Sequence, residues 1–203
     1  MSLFGNLHNT QKREIMMTHL GTRVIHTERL ILRKITDDDL AMICSWMSDP
    51  EITKYEDWIP HDNVNYTRGF ISWLTGDYET EKTYCWGVQL GDEIIGLAMM
   101  ADVNEWSGSI AYYIKKDCWS KGYATEVVLG IMNYMFFEVG IDRIVAKHSI
   151  KNTASGNVLK KAGMSYRGHV KEFEYYSSKS EWHDCDFYFI TKAQYIQTKQ
   201  RKQ

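Results

Sequence analysis

Residues Ser109–Met164 read SIAYYIKKDCWSKGYATEVVLGIMNYMFFEVGIDRIVAKHSIKNTASGNVLKKAGM, and this stretch decides the fold. A strand signal, Ser109–Ile114, runs through a short loop into Lys121-Gly122-Tyr123-Ala124, where a helical pattern opens at once. That pattern covers Lys121–Val139, with Val127, Val128, Ile131, Met135 and Phe136 on one side and Gly140 as its stop. Ile144–His148 is a short β-branched strand, and Asn152–Ala162 is a second helix ended by Gly163. The free N–H groups at a helix start, together with the helix dipole, form an anion site. Gly122 lets the main chain come close to a phosphate, and the small Ala124 leaves room for it. Asn152, Ser155 and Asn157 cluster at the start of the second helix. The pattern fits a ligand with phosphates at one helix and an amide-rich arm along the sheet.

Upstream, Arg23–Lys34 reads as a strand, with Leu30 and Leu32 alternating against Ile31 and Arg33. Thr36-Asp37-Asp38-Asp39 supplies a cap and first-turn acids for a helix through Met47, and Asp49-Pro50 stops it. Tyr55–Asn65 is an aromatic, polar loop, followed by a helix over Val64–Thr75. Tyr84–Leu90 and Glu93–Met100 form a hairpin about Gly91-Asp92. Beyond Gly163 two more strands lie near Tyr166–Glu174 and Asp184–Thr191. A meander followed by strands alternating with helices indicates an α/β (α+β) fold with a mixed, mainly antiparallel twisted sheet. One domain is expected over residues 23–195, between an N-terminal tail (1–22) and a basic C-terminal tail (196–203). No fold role is assigned to Met1 through about Leu20.

A formal net charge of -2, with Lys and Arg interspersed among acids, gives no basic stripe for a nucleic acid. The four cysteines, Cys44, Cys85, Cys118 and Cys185, include no CxxC pair, which argues against a zinc site and a disulfide framework. No apolar run approaches the ~20 residues of a membrane span. A cytoplasmic protein without metal, nucleic acid or membrane partner is expected, as a monomer or homodimer. His183-Asp184-Cys185 lacks partner spacing for a metal, and strand alternation sends Asp184 to the opposite face from the other two.

The central stretch resembles the GNAT superfamily of acetyl-CoA-dependent N-acetyltransferases. Trp119-Ser120-Lys121-Gly122-Tyr123-Ala124 occupies the places of its pyrophosphate loop, Q/R-x-x-G-x-G/A. The run W-S-K-G-Y-A-T-E, Trp119–Glu126, is closer still to the ribosomal-protein N-terminal acetyltransferase (RimJ/RimL-like) branch. Asn152, Ser155 and Gly163 match a later N-x-x-S…G-F signature, with Met164 in place of the aromatic. Thr27-Glu28-Arg29-Leu30-Ile31-Leu32-Arg33 matches the branch's first strand. The resemblance covers about Arg23 to Thr191 and implies a GNAT fold with about seven strands flanked by helices.

It also implies a reaction: direct attack of a primary amine on the thioester of acetyl-CoA in a ternary complex, with no metal. The implied cofactor contacts are Tyr113, Ile114, Trp119, Ser120, Lys121, Gly122, Tyr123, Ala124, Thr125, Asn152, Asn157 and Lys160. An N–H donor for the oxyanion is expected at a bulged edge of the strand ending Tyr112-Tyr113-Ile114. Trp119 stands where many members have Gln or Arg, and Leu159 where many carry a tyrosine that protonates the departing thiolate. In the resembling branch a serine takes that role, and Ser155 is the matching position. Glu174 is the expected general base, with Glu172 on the same strand face at period two as its rival. Tyr55 and Trp58 are weak candidates for the acceptor pocket. The acceptor stays open between a protein N-terminus and a small amine such as a polyamine or an antibiotic. A catalytically silent acyl-CoA-binding sensor is the alternative from another class.

Overall fold

The computed structural model describes residues 17–200 apart from Asp77 and Glu79. Two very short strands open the domain, β1 (Ile25–His26) and β2 (Ile31–Arg33), paired antiparallel with Ile25 opposite Leu32. The single strand expected over Arg23–Lys34 is therefore a hairpin. The Thr27 hydroxyl donates to the Leu30 carbonyl and accepts from the Leu30 N–H, closing its turn. This is why the sheet has eight strands rather than about seven. Next come α1 (Leu40–Met47), α2 (Pro50–Thr53) and α3 (Val64–Thr75). Asp49-Pro50 starts α2 as well as ending α1. Asp49 accepts from the Glu51 N–H at 2.9 Å, and proline costs nothing at the first position of a helix, where its missing N–H has no partner to lose.

The strands β3 (Cys85–Leu90), β4 (Glu93–Ala101) and β5 (Ser107–Ile114) form an antiparallel meander. After α4 (Tyr123–Tyr134) the helix continues as a π turn over Met135–Val139, with Gly140 beyond it in the left-handed region. Then follow β6 (Arg143–Ser149), α5 (Thr153–Lys161), β7 (Ser165–Tyr176), β8 (Glu181–Thr191) and α6 (Lys192–Gln200). The sheet order is β1-β2-β3-β4-β5-β6-β8-β7, and every neighbouring pair is antiparallel except β5 and β6. Lys192–Gln200 is a helix rather than a loose tail. Its Tyr195 is buried against Phe136, and Lys199 bonds Asn133.

Alternation along the strands separates two cores. One lies under α4, α5 and α6, with Val127, Ile131, Leu159 and Tyr195; the other lies under α1 to α3, with Ile43, Trp46, Met47 and Ile71. At roughly 1.5–3 kcal/mol for each fully buried large apolar side chain, these two faces fix which side of the sheet each strand residue takes. Residues 17–22 also pack, contrary to the expectation of no role up to about Leu20. The Thr18 N–H donates to Val139, and Thr22 bridges Thr83 and Cys85. The rest of the expected N-terminal tail, residues 1–16, lies outside the described residues, as does the end of the basic tail.

Candidate active site

The parallel pair β5 and β6 is joined only from Ser107–Ser109 to Arg143–Val145, although β5 runs on to Ile114 and β6 to Ser149. The two strands therefore part toward their C-terminal ends. Gly96 stands opposite Ile114, and the Lys115 N–H donates to Ile95 at 2.7 Å. The Met100 N–H donates to Tyr84, on the far side of β4 from β5. Antiparallel alternation then turns the N–H groups of Tyr112 and Ile114 away from β4 and into the gap. The expected bulge is not in β5, whose pairing with β4 is continuous. The extra residue is Ile95 in β4, since Val88 faces Gly96 while Gln89 faces Ile94.

The gap opens into a cleft of about 460 Å³ between β5, the start of α4 and the start of α5. Gly122 occupies the N-cap of α4 with φ 85°, a conformation that favours glycine, and no side chain caps the helix. The Glu126 N–H bonds the Gly122 carbonyl, so the N–H groups before it in the first turn lack intrahelical partners. Gly122, Tyr123, Ala124 and Thr125 all line the cleft.

This turn is fixed from the β1–β2 hairpin. Glu126 accepts from the Thr27 hydroxyl at 2.6 Å and from the Arg29 N–H and Nε at 2.7 Å, and Arg29 Nη1 donates to the Lys121 carbonyl. These hydrogen bonds outweigh burial and hold the Glu126 carboxyl below its ordinary range. The two motifs T-E-R and G-Y-A-T-E are thus halves of one joint.

Trp119 and Ser120 line the cleft, with the Trp119 indole folded back to donate to the Ile114 carbonyl at 2.6 Å. Asn152 and Asn157 line its α5 side, and the Asn152 side chain caps that helix by accepting from the Ser155 N–H. Lys121 contributes its carbonyl to the joint with Arg29, and its exposed side chain is not among the lining groups. Lys160 is also turned out to solvent. The neighbouring Lys161 faces the cleft instead, four residues after Asn157 on the same helical face.

Across the gap the Tyr112 hydroxyl lies 2.9 Å from Ser155 Oγ, and burial pushes the phenol up to about 12. Leu159, where the resemblance leads one to look for a tyrosine, is buried in the core under α4. Tyr113 points to the opposite face of the sheet, edge-on to Trp58 at 5.6 Å, and its hydroxyl donates to Glu56 Oε2 at 3.3 Å. Glu56 lines the cleft beside Tyr55, whereas Trp58 packs behind Tyr113 and Phe70. Burial raises the Glu56 carboxyl to about 7, although Tyr113, Lys147, Lys179 and Trp58 all favour its charged form.

Glu174 lies on the same face but is not among the lining residues. It is ion-paired to Lys147 and accepts from the Cys185 thiol. Glu172 does not share its face at period two. The register jumps from Val170 opposite Cys185 to Glu174 opposite His183, and Glu172 stands in the resulting bulge with φ 49° and its N–H on Asp184. His183 and Cys185 are buried, while Asp184 turns outward to His169. Sequence reasoning missed Glu56, Tyr112 and Lys161. Alternation along Ile110–Ile114 already puts Tyr112 and Tyr113 on opposite faces, which was the available signal that Tyr112 reaches the α5 side of the cleft. Glu56, in an irregular loop, gave none.

The Acetyltransferase (GNAT) domain family model matches residues 29–165. The uncharacterized N-acetyltransferase p20 of Bacillus licheniformis is 30% identical over 176 residues, which is 84% of this chain and 97% of that protein. A GNAT-family acetyltransferase structure from Bacillus anthracis superposes with a TM-score of 0.74 at 25% identity, covering 84% of this chain and 99% of that one. RimL, a ribosomal L7/L12 alpha-N-protein acetyltransferase solved in complex with coenzyme A, shares the fold with a TM-score of 0.73 at 17% identity, over 83% of this chain and 98% of that one. The chain belongs to the GNAT acetyltransferase family and is an N-acetyltransferase.

Proposed function

We propose that this enzyme moves the acetyl group of acetyl-CoA to a primary amine, with Glu56 as the base and the Tyr112–Ser155 pair as the proton source. The observation that carries the reading is the Glu56 carboxyl, raised to about 7 at the end of the gap in the sheet. A base with a pKa near the working pH is half ionised and still basic enough to take an ammonium proton. Glu174 is ion-paired to Lys147 and does not line the cleft, so it is less well placed to take the proton.

The uncapped first turn of α4, with Gly122 and Ala124 beside it, fits a pyrophosphate, and Lys151 and Lys161 add positive charge along the same cleft. The Tyr112 and Ile114 N–H groups are aimed where a pantetheine arm or a thioester oxygen would accept them. In this reading the acyl donor enters from the α4–α5 side and the amine from the α1–α3 side, the two meeting between β5 and β6. Glu56 takes the proton that the amine must lose before it can attack. The backbone donors of β5 hold the developing oxyanion, and Ser155, backed by Tyr112, donates to the departing sulfur. Trp119, which keeps its indole N–H on Ile114, contributes shape rather than charge.

A protein N-terminal amine is the acceptor class proposed, since RimL, with the same fold, acts on the alpha-amine of a ribosomal protein. Thiol release from acetyl-CoA, measured over a panel of peptide N-termini, polyamines and aminoglycosides, tests this. Turnover with a peptide amine above the others is the expected result. Binding of acetyl-CoA with no turnover on any amine would replace the enzyme by a sensor.

A further inference from the structure

The tip of the β7–β8 hairpin, residues Tyr176–Lys179, grips the segment that carries Glu56, more than a hundred residues away in sequence. Lys179 Nζ donates to the carbonyls of Thr53 at 2.8 Å, Lys54 at 2.9 Å and Glu56 at 2.7 Å. The one carbonyl it skips, that of Tyr55, accepts from the Tyr176 hydroxyl at 2.8 Å. All four successive carbonyls at the end of α2 are thus held from one hairpin tip. Asp57 closes the grip from the other side by accepting from the Ser178 N–H at 2.9 Å and from the Ser177 hydroxyl.

A four-residue helix cannot satisfy its own terminal carbonyls, and a lysine there meets both the open acceptors and the negative end of the dipole. The Tyr176 ring is itself fixed, stacked at 3.9 Å on the buried His183. Lys54 and Asp57 are exposed, so between the buried Thr53 and Trp58, which packs on Tyr113 and Phe70, the hairpin tip is what holds the backbone that carries Glu56. We propose that Lys179 and Tyr176 are positioning residues for the acetyl transfer, acting as a clamp that holds the Glu56 loop closed over the end of β5. This rests on Glu56 being the base.

The groups facing Glu56 are Tyr113 from β5, Lys147 from β6, Tyr176 from β7, Lys179 from the hairpin tip and Trp58 from its own loop. Losing Lys179 has two opposed consequences for the acid limb of kcat/KM. If the loop stays in place, the lost positive charge makes the Glu56 carboxylate harder to form, and the limb moves above about 7. If the loop opens, Glu56 gains water. Burial is the largest cause of its raised value, so the limb then falls toward the ordinary carboxylate range.

The test is kcat, KM for acetyl-CoA and the pH profile of Lys179→Met, Lys179→Arg and Tyr176→Phe in the full chain, with the melting temperature as the folding control. For Lys179→Met the clamp gives a kcat lower by roughly tenfold to a hundredfold, as for a misplaced reacting group. It also gives an unchanged KM for acetyl-CoA and an acid limb moved downward. Lys179→Arg, which can still donate to the carbonyls, restores most of the rate. Tyr176→Phe shows the same direction more weakly, and it carries the test alone if Lys179→Met does not fold. An unchanged kcat, or a limb moved upward, overturns the clamp. Glu56→Gln, run beside them, separates the two claims: a fully active Glu56→Gln removes the base, whereas an inactive Glu56→Gln with a normal Lys179→Met removes only the clamp.

Discussion

The hydroxyls of Tyr112 and Ser155 stand 2.9 Å apart, tying β5 to the first turn of α5 across the gap in the sheet. Tyr112 also reaches the Ser155 carbonyl at 3.2 Å, so the serine is held at both main chain and side chain. A thiolate is a fair leaving group, so the pair is asked for only modest help. Ser155→Ala is expected to lower kcat by about 10–10²-fold while changing acetyl-CoA affinity little, and Tyr112→Phe to lower it less. Steady-state kinetics with direct binding of acetyl-CoA would check this. A loss confined to KM for acetyl-CoA would leave Ser155 as a contact and nothing more.

Gly122 resists replacement because its φ of 85° disfavours a side chain, although a Cβ there would meet only Arg29 Nη2, at an ordinary contact distance of 3.4 Å. Gly122→Asp also sets a negative charge at the mouth of the uncapped helix, where the proposed pyrophosphate would lie. Calorimetric titration with CoA should show binding lost in a protein that remains folded. Unchanged affinity would move the phosphates elsewhere.

Glu126 joins the β1–β2 hairpin to α4 through charge-assisted bonds, and its pKa is held down in the fold. A depressed carboxyl stabilises the fold above its unfolded pKa and loses that contribution as pH falls through the folded value. Glu126→Gln is therefore expected to cost about 1–2 kcal/mol at neutral pH, discounted for the partly exposed Arg29. The difference from the parent should shrink as pH falls below about 4.5, the ordinary carboxyl value. Urea melts at several pH values measure it. A deficit independent of pH would mean that packing, not charge, is lost.

Much of the frame was legible because periodicity and glycine stops are local signals. Val64–Thr75 is a helix with the expected ends, and the shared apolar face Val127, Val128 and Ile131 placed α4 on the sheet. What sequence could not give was set by contacts distant in the chain. The π turn over Met135–Val139 leaves the helical hydrophobic pattern intact, and the β1–β2 turn, closed locally by Thr27 and Leu30, is tied to Glu126 about a hundred residues on. The Glu172 and Glu174 register failed because the β7 bulge is fixed by Asp184 across the hairpin. Glu56 was illegible for the same reason: its raised pKa comes from burial in the folded chain, against the opposing pull of Tyr113 on β5, Lys147 on β6 and Lys179 at the β7–β8 tip, and an irregular loop carries no local sign of that burial. On α5, helical spacing alone could not choose between Lys160 and Lys161, each within one turn of Asn157.

Gly156 brings α5 down onto β6. A Cβ there would sit 2.6 Å from His148 Nε2, and the ring cannot retreat, since it stacks on Tyr188 and bonds the Ser149 carbonyl. Gly156→Ala improves helix propensity, yet it is expected to destabilise the protein by about 1–3 kcal/mol through overpacking. Thermal melting tests the sign. A stabilised Gly156→Ala would show that α5 can lift from the sheet without cost.

The central claim is that Glu56, not Glu174, removes the proton from the amine, and the pH–rate profile of Glu56→Gln tests it most directly. With the parent enzyme, kcat/KM for a good amine should fall below about pH 7 as Glu56 becomes protonated. Glu56→Gln keeps the size and hydrogen bonding of the side chain. It should bind acetyl-CoA normally, lose about 10²–10⁴ in kcat, lack that acid limb and recover part of its rate as pH rises and the amine arrives deprotonated. Glu174→Gln should keep most of its activity, and Glu172→Gln all of it. A Glu56→Gln enzyme with the parent's rate and limb, beside an inactive Glu174→Gln, would contradict the account and return the base to the residue paired with Lys147.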